Sequence, residues 1–355
     1  MKITSITSEK VSLDLEKSFT VAIGTITRFD TVIVKVQTDV GITGYGEGTS
    51  ASFVTGETPE IIQVAIAVLG EALIGINPWS IGQVHRVMDG TLIGNGAAKA
   101  AIDIALYDIM GKAAGLPLYV LLGGSRMECE TDMTVGIDVP AAMANEAREI
   151  AARGFRQIKV KCGKDPGEDI EAVRLIREAV GPGVRIKVDA NQGWSAGDAV
   201  TVAAKMAAYD VEAIEQPVRA WDTEGLAYVR SKAQVKIMAD ESCFTPQDAL
   251  HLIKLGAVDV INIKLMKCGG LYRAMQISAI AASAGIPCML GCMLESRLSI
   301  AAGAALVAAD SNFHYCDLDS FLSFKGDGII SGGFDFDCPV IKLTDEPGHG
   351  AKVNM

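Results

Sequence analysis

Seven polar positions recur at nearly constant intervals along the second half of this 355-residue chain. The successive intervals are 28, 26, 25, 24, 28 and 25 residues, between Lys161, Asp189, Glu215, Asp240, Lys264, Cys292 and Asp317. Nearly every position ends a short apolar, β-branched run, and an alanine-rich stretch with helical periodicity follows it. This rhythm is typical of repeated βα units, which form a barrel when eight of them close. Because such a barrel has its active site at the carboxyl ends of its strands, the pattern predicts that all these side chains face one opening.

The rest of the chain predicts a smaller unit in front of the barrel. Residues 1–56 have the alternation and turn residues of an antiparallel meander, and from Pro59 to about Gly115 the apolar spacing becomes helical. We therefore predict an α/β protein in which an α+β capping domain with specificity loops spans residues 1–125. A TIM-like (β/α)7–8 barrel would span residues 126–320, with its first strand at Glu130–Ile137. Residues 321–355 would return to the capping domain.

Composition narrows the class of partner. The net charge is -11 and no run of basic residues occurs, which disfavours a nucleic-acid surface and favours a small-molecule substrate. The first residues lack the apolar core of a signal peptide, and the alanine-rich stretch at 300–309 is too short to span a bilayer. The eight cysteines form no CxxC pair, as expected of buried thiols in a reducing compartment. We expect a cytoplasmic protein without a membrane partner, and the sequence leaves a homo-oligomer open.

Three carboxylates, Asp189, Glu215 and Asp240, end three consecutive predicted strands. Oxygen ligands on adjacent strands suit a hard cation such as Mg²⁺ and leave coordination positions open for substrate oxygens. Zinc is disfavoured because no histidine or cysteine accompanies them. Each acid alone has an ordinary alternative role, that of capping the following helix. The shared spacing of all three with Lys264 argues against that alternative and predicts a magnesium site.

Lysines flank the predicted metal site on two sides. Lys159 and Lys161 are two residues apart on one strand and so point the same way, whereas Lys264 lies roughly opposite in an eight-stranded ring. An isolated Lys-x-Lys is usually a solvated strand edge, but here it shares the register of the other polar positions. A cation that stabilises a substrate carboxylate as an enediolate, with a lysine to remove the α-proton, is a site for enolate chemistry. A lysine base must have a lowered pKa, which we expect Lys159 and the cation to give Lys161 by charge repulsion.

Several short motifs strengthen this interpretation. They are Gly44-Tyr-Gly-Glu-Gly, Lys159-Val-Lys161, Val188-Asp-Ala-Asn-Gln, Ile214-Glu-Gln-Pro, Ala239-Asp-Glu-Ser and Asn262-Ile-Lys-Leu. With them the chain resembles the enolase superfamily over essentially its whole length, in particular the muconate-lactonising subgroup and its dipeptide epimerases. The resemblance implies Mg²⁺ on the three carboxylates, acid/base roles for Lys161 and Lys264, and an assisting role for Lys159. It also implies that the pair Asp317 and Asp319 marks dipeptide substrates, whose α-ammonium two carboxylates could hold.

The choice of dipeptide is predicted from the segments expected to cover the barrel. Relatives that act on Ala-Glu carry a basic residue where this chain has Gly24, and residues 48–56 contain no carboxylate. Apolar residues in these segments predict a lining for hydrophobic side chains: Phe19, Ile23, Ile26, Phe53 and Val54. Arg28 and Glu57 are the charges nearby that could oppose this prediction. We also expect Thr134 and Cys292 to touch the substrate, the alternative for each being a role in packing only.

Four further features are predicted from pattern alone. Gly44, Gly46 and Gly48 suggest a flexible flap over the barrel. Strand alternation directs Glu241 away from the opening, in a supporting or structural role. Glu295 could support the site or belong to a loop, and Asn191 could orient the loop after Asp189 or only turn the chain.

The predicted function is therefore a magnesium-dependent dipeptide epimerase that moves a proton at the α-carbon of the C-terminal residue by 1,1-proton transfer. Other outcomes of the same enolate step stay open: a muconate-type cycloisomerase, a dehydratase like o-succinylbenzoate synthase, or another amino-acid racemase. A catalytically silent binding protein is the non-enzymatic alternative. The pair of opposed lysines, Lys161 and Lys264, argues against that last reading.

Overall fold

The computed structural model describes residues 1–16, 29–325 and 328–354, together with the backbone of residues 19–21 and 24–26. Its N-terminal part is an α+β unit. The elements are β1 (Ile3–Leu13), β2 (Phe19–Val21), β3 (Gly24–Ile26), β4 (Phe29–Thr38), β5 (Thr43–Thr49), α1 (Pro59–Leu73), α2 (Ile81–Thr91), α3 (Gly96–Ala114), α4 (Leu118–Leu121) and β6 (Glu128–Glu130). Strands β1, β4 and β5 form the expected antiparallel meander, with β4 in the middle.

The glycines of β5 allow this strand to lie directly against helix α3. A Cβ added to Gly44, Gly46 or Gly48 would lie 2.1, 1.9 and 2.8 Å from backbone carbonyl oxygens one helical turn apart, those of Ala105, Ala101 and Ala97. No side chain fits at such distances. The prediction of a flexible flap at these glycines is therefore wrong, because they form a buried contact between a strand and a helix.

The barrel follows. Its elements are β7 (Met133–Val135), α5 (Pro140–Ala152), β8 (Gln157–Lys161), α6 (Pro166–Val180), β9 (Arg185–Asp189), α7 (Ala196–Met206), β10 (Val211–Glu215), α8 (Thr223–Lys232), β11 (Lys236–Ala239), α9 (Pro246–Leu255), β12 (Val260–Lys264), α10 (Leu265–Cys268), α11 (Leu271–Ser283), β13 (Cys288–Gly291), α12 (Arg297–Ala309) and β14 (Phe313–Asp317). Strands β7 to β14 form one eight-stranded parallel sheet in chain order. The predicted fold class is confirmed.

Hydrogen bonds close the ring between its first and last strands. Asp132 N donates to the carbonyl of Cys316 over 3.2 Å, and Leu318 N donates to Thr131 Oγ1 over 2.9 Å. The first barrel strand is shorter than the predicted span Glu130–Ile137. Glu130 belongs instead to β6, which pairs with a C-terminal strand, and β7 begins at Met133.

Polar residues at the βα junctions start several barrel helices. The Asp165 carboxylate accepts from Gly167 N and Glu168 N at the start of α6, and Thr245 forms a capping box with Asp248 at the start of α9. Prolines at the first turn of α5, α6 and α9 add to these start signals. Each of these helices follows its strand after a loop, so a fixed helix start also fixes the loop. The last residue of the strand is thereby held at the carboxyl end of the barrel.

The C-terminal part contains β15 (Ile330–Gly332), β16 (Phe334–Asp337), β17 (Val340–Leu343) and β18 (Ala351–Val353). Strand β17 pairs with both β16 and β6 beside the barrel, whereas His349 Nε2 lies 3.0 Å from the carbonyl of Tyr45 in β5. The segment thus contacts both parts of the molecule. The domain limits at residues 125 and 320 stay predictions.

Two further features concern the helices and the cysteines. Among the helices of the residues that the structure describes, none is long and apolar enough to cross a lipid bilayer. All eight cysteines are free thiols, and five of them are buried.

The close contact between β5 and α3 generates a stability prediction. Gly46→Ala places a methyl group 1.9 Å from the carbonyl oxygen of Ala101, so strand and helix must separate. We expect a loss of about 3 kcal/mol or more in the free energy of unfolding, measured by urea denaturation. The matched control is Gly90→Ala in α2, where an added Cβ meets nothing within 4 Å. Equal stability of the two variants would contradict the packing role of Gly46.

Candidate active site

The polar positions spaced along the sequence converge at the carboxyl ends of the barrel strands. Lys161, Asp189, Glu215, Lys264 and Asp317 are each the last residue of their strand, while Asp240 and Cys292 immediately follow theirs. A cavity of about 910 Å³ lies at this end of the barrel, and its lining includes Lys159, Lys161, Lys264, Cys292, Asp317 and Asp319. Asp189, Glu215 and Asp240 do not line the cavity themselves but contact the lysines that do.

Asp189, Glu215 and Asp240 come together as three buried carboxylates. One oxygen from each lies within 4.8 Å of the others. Burial alone would raise the pKa of Asp189, but the ammonium groups of Lys159 and Lys161 outweigh it and lower that pKa. Burial and the charge of Asp189 raise the pKa of Glu215 to about 7. These closely spaced carboxylate oxygens are hard ligands, and the negative charge of Glu215 is only partly compensated by the lysines. Such a set of ligands fits Mg²⁺.

Lys159 lies at the centre of the acidic groups. Its Nζ atom is 3.0 Å from Asp189, 2.9 Å from Glu215 and 2.7 Å from Asp317. Burial opposes its charge, but the three carboxylates raise its pKa well above the usual value. Lys159 is thus held as a cation that connects the predicted metal ligands to the predicted ammonium-binding pair.

Lys161 and Lys264 approach the cavity from strands four places apart in the ring of eight. Lys161 Nζ donates to Asp189 Oδ2 over 2.7 Å and to Asn191 Oδ1 over 3.1 Å. Lys264 Nζ donates to Asp240 Oδ2 over 2.8 Å. Each lysine is thus fixed by one of the three carboxylates, on opposite sides of the same cavity.

Asn191 and Glu241 form a chain of hydrogen bonds that ends at Lys161. Asn191 Nδ2 donates to Glu241 Oε1 over 3.1 Å, while its Oδ1 accepts from Lys161. Burial and the charge of Asp240 raise the pKa of Glu241 to about 7. Asn191 therefore orients Lys161 as well as turning the chain. Glu241 does not line the cavity and contacts Asn191, which agrees with the supporting role expected from its position after Asp240.

Asp317, Asp319 and Cys292 form a second group beside Lys159. One ligand atom from each lies within 4.8 Å of the others. Asp319 Oδ2 accepts from Thr134 N over 2.7 Å, and burial followed by the charge of Asp317 raises the pKa of Asp319 to about 6. All four residues, including Thr134 on the first barrel strand, line the cavity.

The comparisons with known proteins agree with this geometry. Residues 3–123 match the mandelate racemase/muconate lactonizing enzyme N-terminal domain, and residues 142–355 match the enolase C-terminal domain-like family. The chain belongs to the enolase superfamily. The two matched regions correspond to the α+β unit with its meander and to most of the barrel together with the C-terminal strands.

Individual superfamily members resemble the whole chain. It is 46% identical to the hydrophobic dipeptide epimerase of Enterococcus faecalis V583, over 99% of each chain. The crystal structure of the dipeptide epimerase from that organism, complexed with Mg and L-Leu-L-Tyr, has a TM-score of 0.97 and covers 99% of this chain and all of its own. The substrate-liganded L-Ala-D/L-Glu epimerase of Bacillus subtilis is 38% identical, with a TM-score of 0.97 and full coverage of both chains.

The cover of the cavity combines loop residues from both parts of this superfamily member. Ala51, Phe53 and Val54 line it from the segment after β5, and Phe53 is 44% exposed. Gly24 is described only by its backbone, paired with Val21, and Ile23 and Arg28 lie outside the described residues. Glu57 does not reach the cavity, because it is buried and accepts from Ala97 N and Ala98 N at the start of α3. The segment after β5 thus gives the cover an apolar part through Ala51, Phe53 and Val54, and Glu16 and Ser50 add polar groups from the same unit.

Glu295 lies in the loop after β13, next to the cavity-lining residues Met293 and Leu294. It is buried, its Oε1 accepts from Met293 N over 2.8 Å, and burial together with the charge of Glu47 raises its pKa to about 8. Of the two roles that the sequence left open, the structure thus favours a buried support for the loop after β13.

The spacing of the strands did not identify Lys267. This residue follows Lys264 by one helical turn, in the short helix α10, and its side chain is buried. Its Nζ lies 2.6 Å from Asp240 Oδ1 and donates to the carbonyls of Asp240, Cys243 and Asn262. Asp240 is thus held between two lysines, which lower its pKa against the effect of burial. Only the pattern Lys264-x-x-Lys267 could have indicated it.

Removing Lys267 tests how Asp240 is held. Lys267→Met leaves a buried carboxylate without one of its two ammonium partners, so we expect a loss of about 3–5 kcal/mol in the free energy of unfolding. Urea denaturation without added metal measures it. The matched control is Lys254→Met on the exposed side of α9. A Lys267→Met variant as stable as that control would show that Asp240 does not depend on this lysine.

Proposed function

We propose that this protein is a magnesium-dependent dipeptide epimerase that inverts the α-carbon of the C-terminal residue by 1,1-proton transfer. The observation that carries the proposal is the pair Lys161 and Lys264, which face one cavity from strands four places apart, each beside a carboxylate of the same cluster. Inversion needs a group on each face of the reacting carbon. The 46% identical relative named hydrophobic dipeptide epimerase supports the same reaction class.

Asp189, Glu215 and Asp240 would hold the magnesium ion. When bound, the cation supplies positive charge that stabilises the substrate carboxylate as the neighbouring α-carbon loses its proton. The protein fixes two of these ligands, Glu215 and Asp240, from outside the cluster. Asn262 Nδ2 donates to Glu215 Oε1 over 2.7 Å, and Lys267 holds Asp240.

The two lysines would divide the proton transfer. As a neutral amine, the Nζ of Lys161 takes the α-proton of one antipode, and the ammonium of Lys264 gives a proton to the opposite face of the carbon. In the reverse reaction the lysines exchange these roles. The carbon thus exchanges one C–H bond for another and no atom is lost, while the two lysines exchange protonation states. Asn191 and Asp189 would orient Lys161, and Asp240 would orient Lys264.

The α-ammonium of the dipeptide would bind Asp317 and Asp319. These carboxylates are buried beside the cavity, and the raised pKa of Asp319, about 6, reflects negative charge that a substrate cation would compensate. Lys159 stabilises Asp317, and its ammonium group lies between this pair and the proposed metal ligands. An N-acylated amino acid would bring no ammonium to this position, which favours dipeptides over the substrates of an N-acylamino-acid racemase.

The apolar residues of the cover favour dipeptides with hydrophobic side chains, and Glu16 is the charged residue that the N-terminal unit adds to the lining. Phe53, Val54 and Leu294 line the cavity, and Glu57 is engaged in capping α3. Gly24 offers no counter-ion to an acidic side chain. Burial of aliphatic or aromatic groups against this lining is worth about 25 cal/mol per Å². We further propose that the enzyme acts in the cytoplasm, in keeping with its eight free thiols.

A dipeptide library in deuterated water tests both the reaction and the specificity. Each substrate whose α-carbon is inverted gains a single deuteron with unchanged connectivity, which mass spectrometry detects. We expect kcat/KM to be highest for Ile-Phe type dipeptides and lower for Ala-Glu, Ala-Lys and N-acetylated dipeptides. Activity should disappear with excess chelator and return with Mg²⁺. A clear lead of either charged class would overturn the specificity, and loss of water or ring closure would overturn the reaction type.

Replacing each lysine separately tests the division of roles. Lys161→Ala and Lys264→Ala should each lower epimerisation by about 100-fold or more, because each removes the acid or base on one face. We expect the two variants to retain deuterium exchange for opposite antipodes, measured by proton NMR. Lys164→Ala, an exposed lysine three residues after Lys161, is the control. Near wild-type epimerisation by either catalytic variant would refute the two-base assignment.

A further inference from the structure

Strand β5 of the N-terminal unit contacts the loop that follows barrel strand β13. This β13–α12 loop, Cys292–Ser296, forms one wall of the cavity through Cys292, Met293 and Leu294. On the other side of β5, the chain continues directly into Ser50–Val54, which covers the cavity. The end of β5 therefore lies where the cover and one wall of the site meet.

Glu47 makes the main contact between β5 and the loop. Its carboxylate is fully buried and accepts from Ser296 Oγ over 2.6 Å, from Ser296 N over 3.0 Å and from Ser299 N over 3.2 Å. A fourth hydrogen bond, from Thr31 Oγ1 over 2.9 Å, comes from the neighbouring strand β4. The carboxylate thus bridges the small sheet and the first turn of α12.

Thr49 makes a second contact from the same strand. Its hydroxyl donates to the carbonyl of Leu294, a cavity-lining residue, over 3.1 Å, and its backbone N lies 3.4 Å from Met266 Sδ. Thr31 and Thr49 are joined by a hydroxyl contact of 3.2 Å. The loop is therefore held at Leu294 by Thr49 and at Ser296 by Glu47.

These contacts are more specific than packing requires. Burial raises the pKa of Glu47, which shows the cost of placing a carboxylate there, and the hydrogen bonds from Ser296 and Thr31 oppose that cost. The positive end of α12 and two charge-assisted backbone hydrogen bonds stabilise the ionised form. An apolar residue would join the two parts of the molecule at lower cost, but it would not fix the direction of the loop.

We propose that Glu47 and Thr49 are positioning residues of the reaction, which hold the β13–α12 loop where it forms the substrate-binding wall. They act through Leu294 and Ser296 and do not touch the reacting atoms. The kinetic part of this inference rests on the proposed function. The consequence is that loss of these hydrogen bonds loosens substrate binding while the opposed lysines stay in place.

Kinetics of Thr49 and Glu47 variants test the inference. Thr49→Val removes the hydrogen bond to Leu294 with little change of shape, and Glu47→Gln places an amide against the backbone donors of Ser296 and Ser299. We expect KM for a hydrophobic dipeptide to rise about tenfold in each, with kcat changed less than about threefold. Thr49→Ser keeps the hydroxyl and should restore the wild-type KM. Thr38→Val is the control, since Thr38 makes an equivalent bond to the Ile42 carbonyl in the same sheet, away from the loop.

Amide hydrogen exchange gives a readout that does not depend on catalysis. Peptides covering residues 292–300 should exchange faster in Thr49→Val and Glu47→Gln than in wild type, whereas peptides from α9 stay unchanged. If the two variants exchange faster in this segment but the wild type shows no epimerase activity, the positioning contact is supported and the proposed function is refuted. Unchanged exchange of residues 292–300 in the variants would overturn the inference. A fall in kcat at constant KM would overturn it as well, because that result is expected when a smaller fraction of the enzyme is folded.

Discussion

The active site depends on the ammonium group of Lys159 among the carboxylates of Asp189, Glu215 and Asp317. Carboxylates buried this close together repel one another, and burial alone would leave them protonated. A single cation within 3.0 Å of all three keeps two separate acidic groups next to each other. The raised pKa values of Glu215, about 7, and Asp319, about 6, show that one ammonium does not compensate all of the charge. The remaining negative charge is what a divalent cation on one side and a substrate ammonium on the other would neutralise.

The two lysines that we propose as acid/base groups are held by the same electrostatics. Lys161 and Lys264 each donate to one predicted metal ligand, and Lys267 contacts Asp240 as well. The predicted ligands and the proposed acid/base groups thus form one connected network, in which moving one group disturbs the others. The barrel makes this possible because adjacent parallel strands place their last residues a few ångströms apart.

The N-terminal unit contributes the cover of the cavity. The fold alone does not fix the substrate, since one scaffold can carry many reactions. Here the glycines of β5 bring that strand onto α3, and Glu47 and Thr49 connect its end to the barrel. The cover that carries Phe53 and the wall that carries Leu294 therefore share one anchor. The N-terminal unit and the barrel thus meet at this anchor beside the cavity.

The sequence by itself determined the repeated βα units and the convergence of Asp189, Glu215, Asp240 and Lys264, because both follow from local periodicity and the geometry of parallel strands. Other roles were decided only by the tertiary structure. Gly46 packs against α3, Glu57 caps α3 and Lys267 holds Asp240, and none of these partners can be read from spacing. Glu47 and Ser296 are 249 residues apart in sequence. Periodicity specifies which side of an element a residue faces, whereas the partner it meets there depends on how distant elements pack.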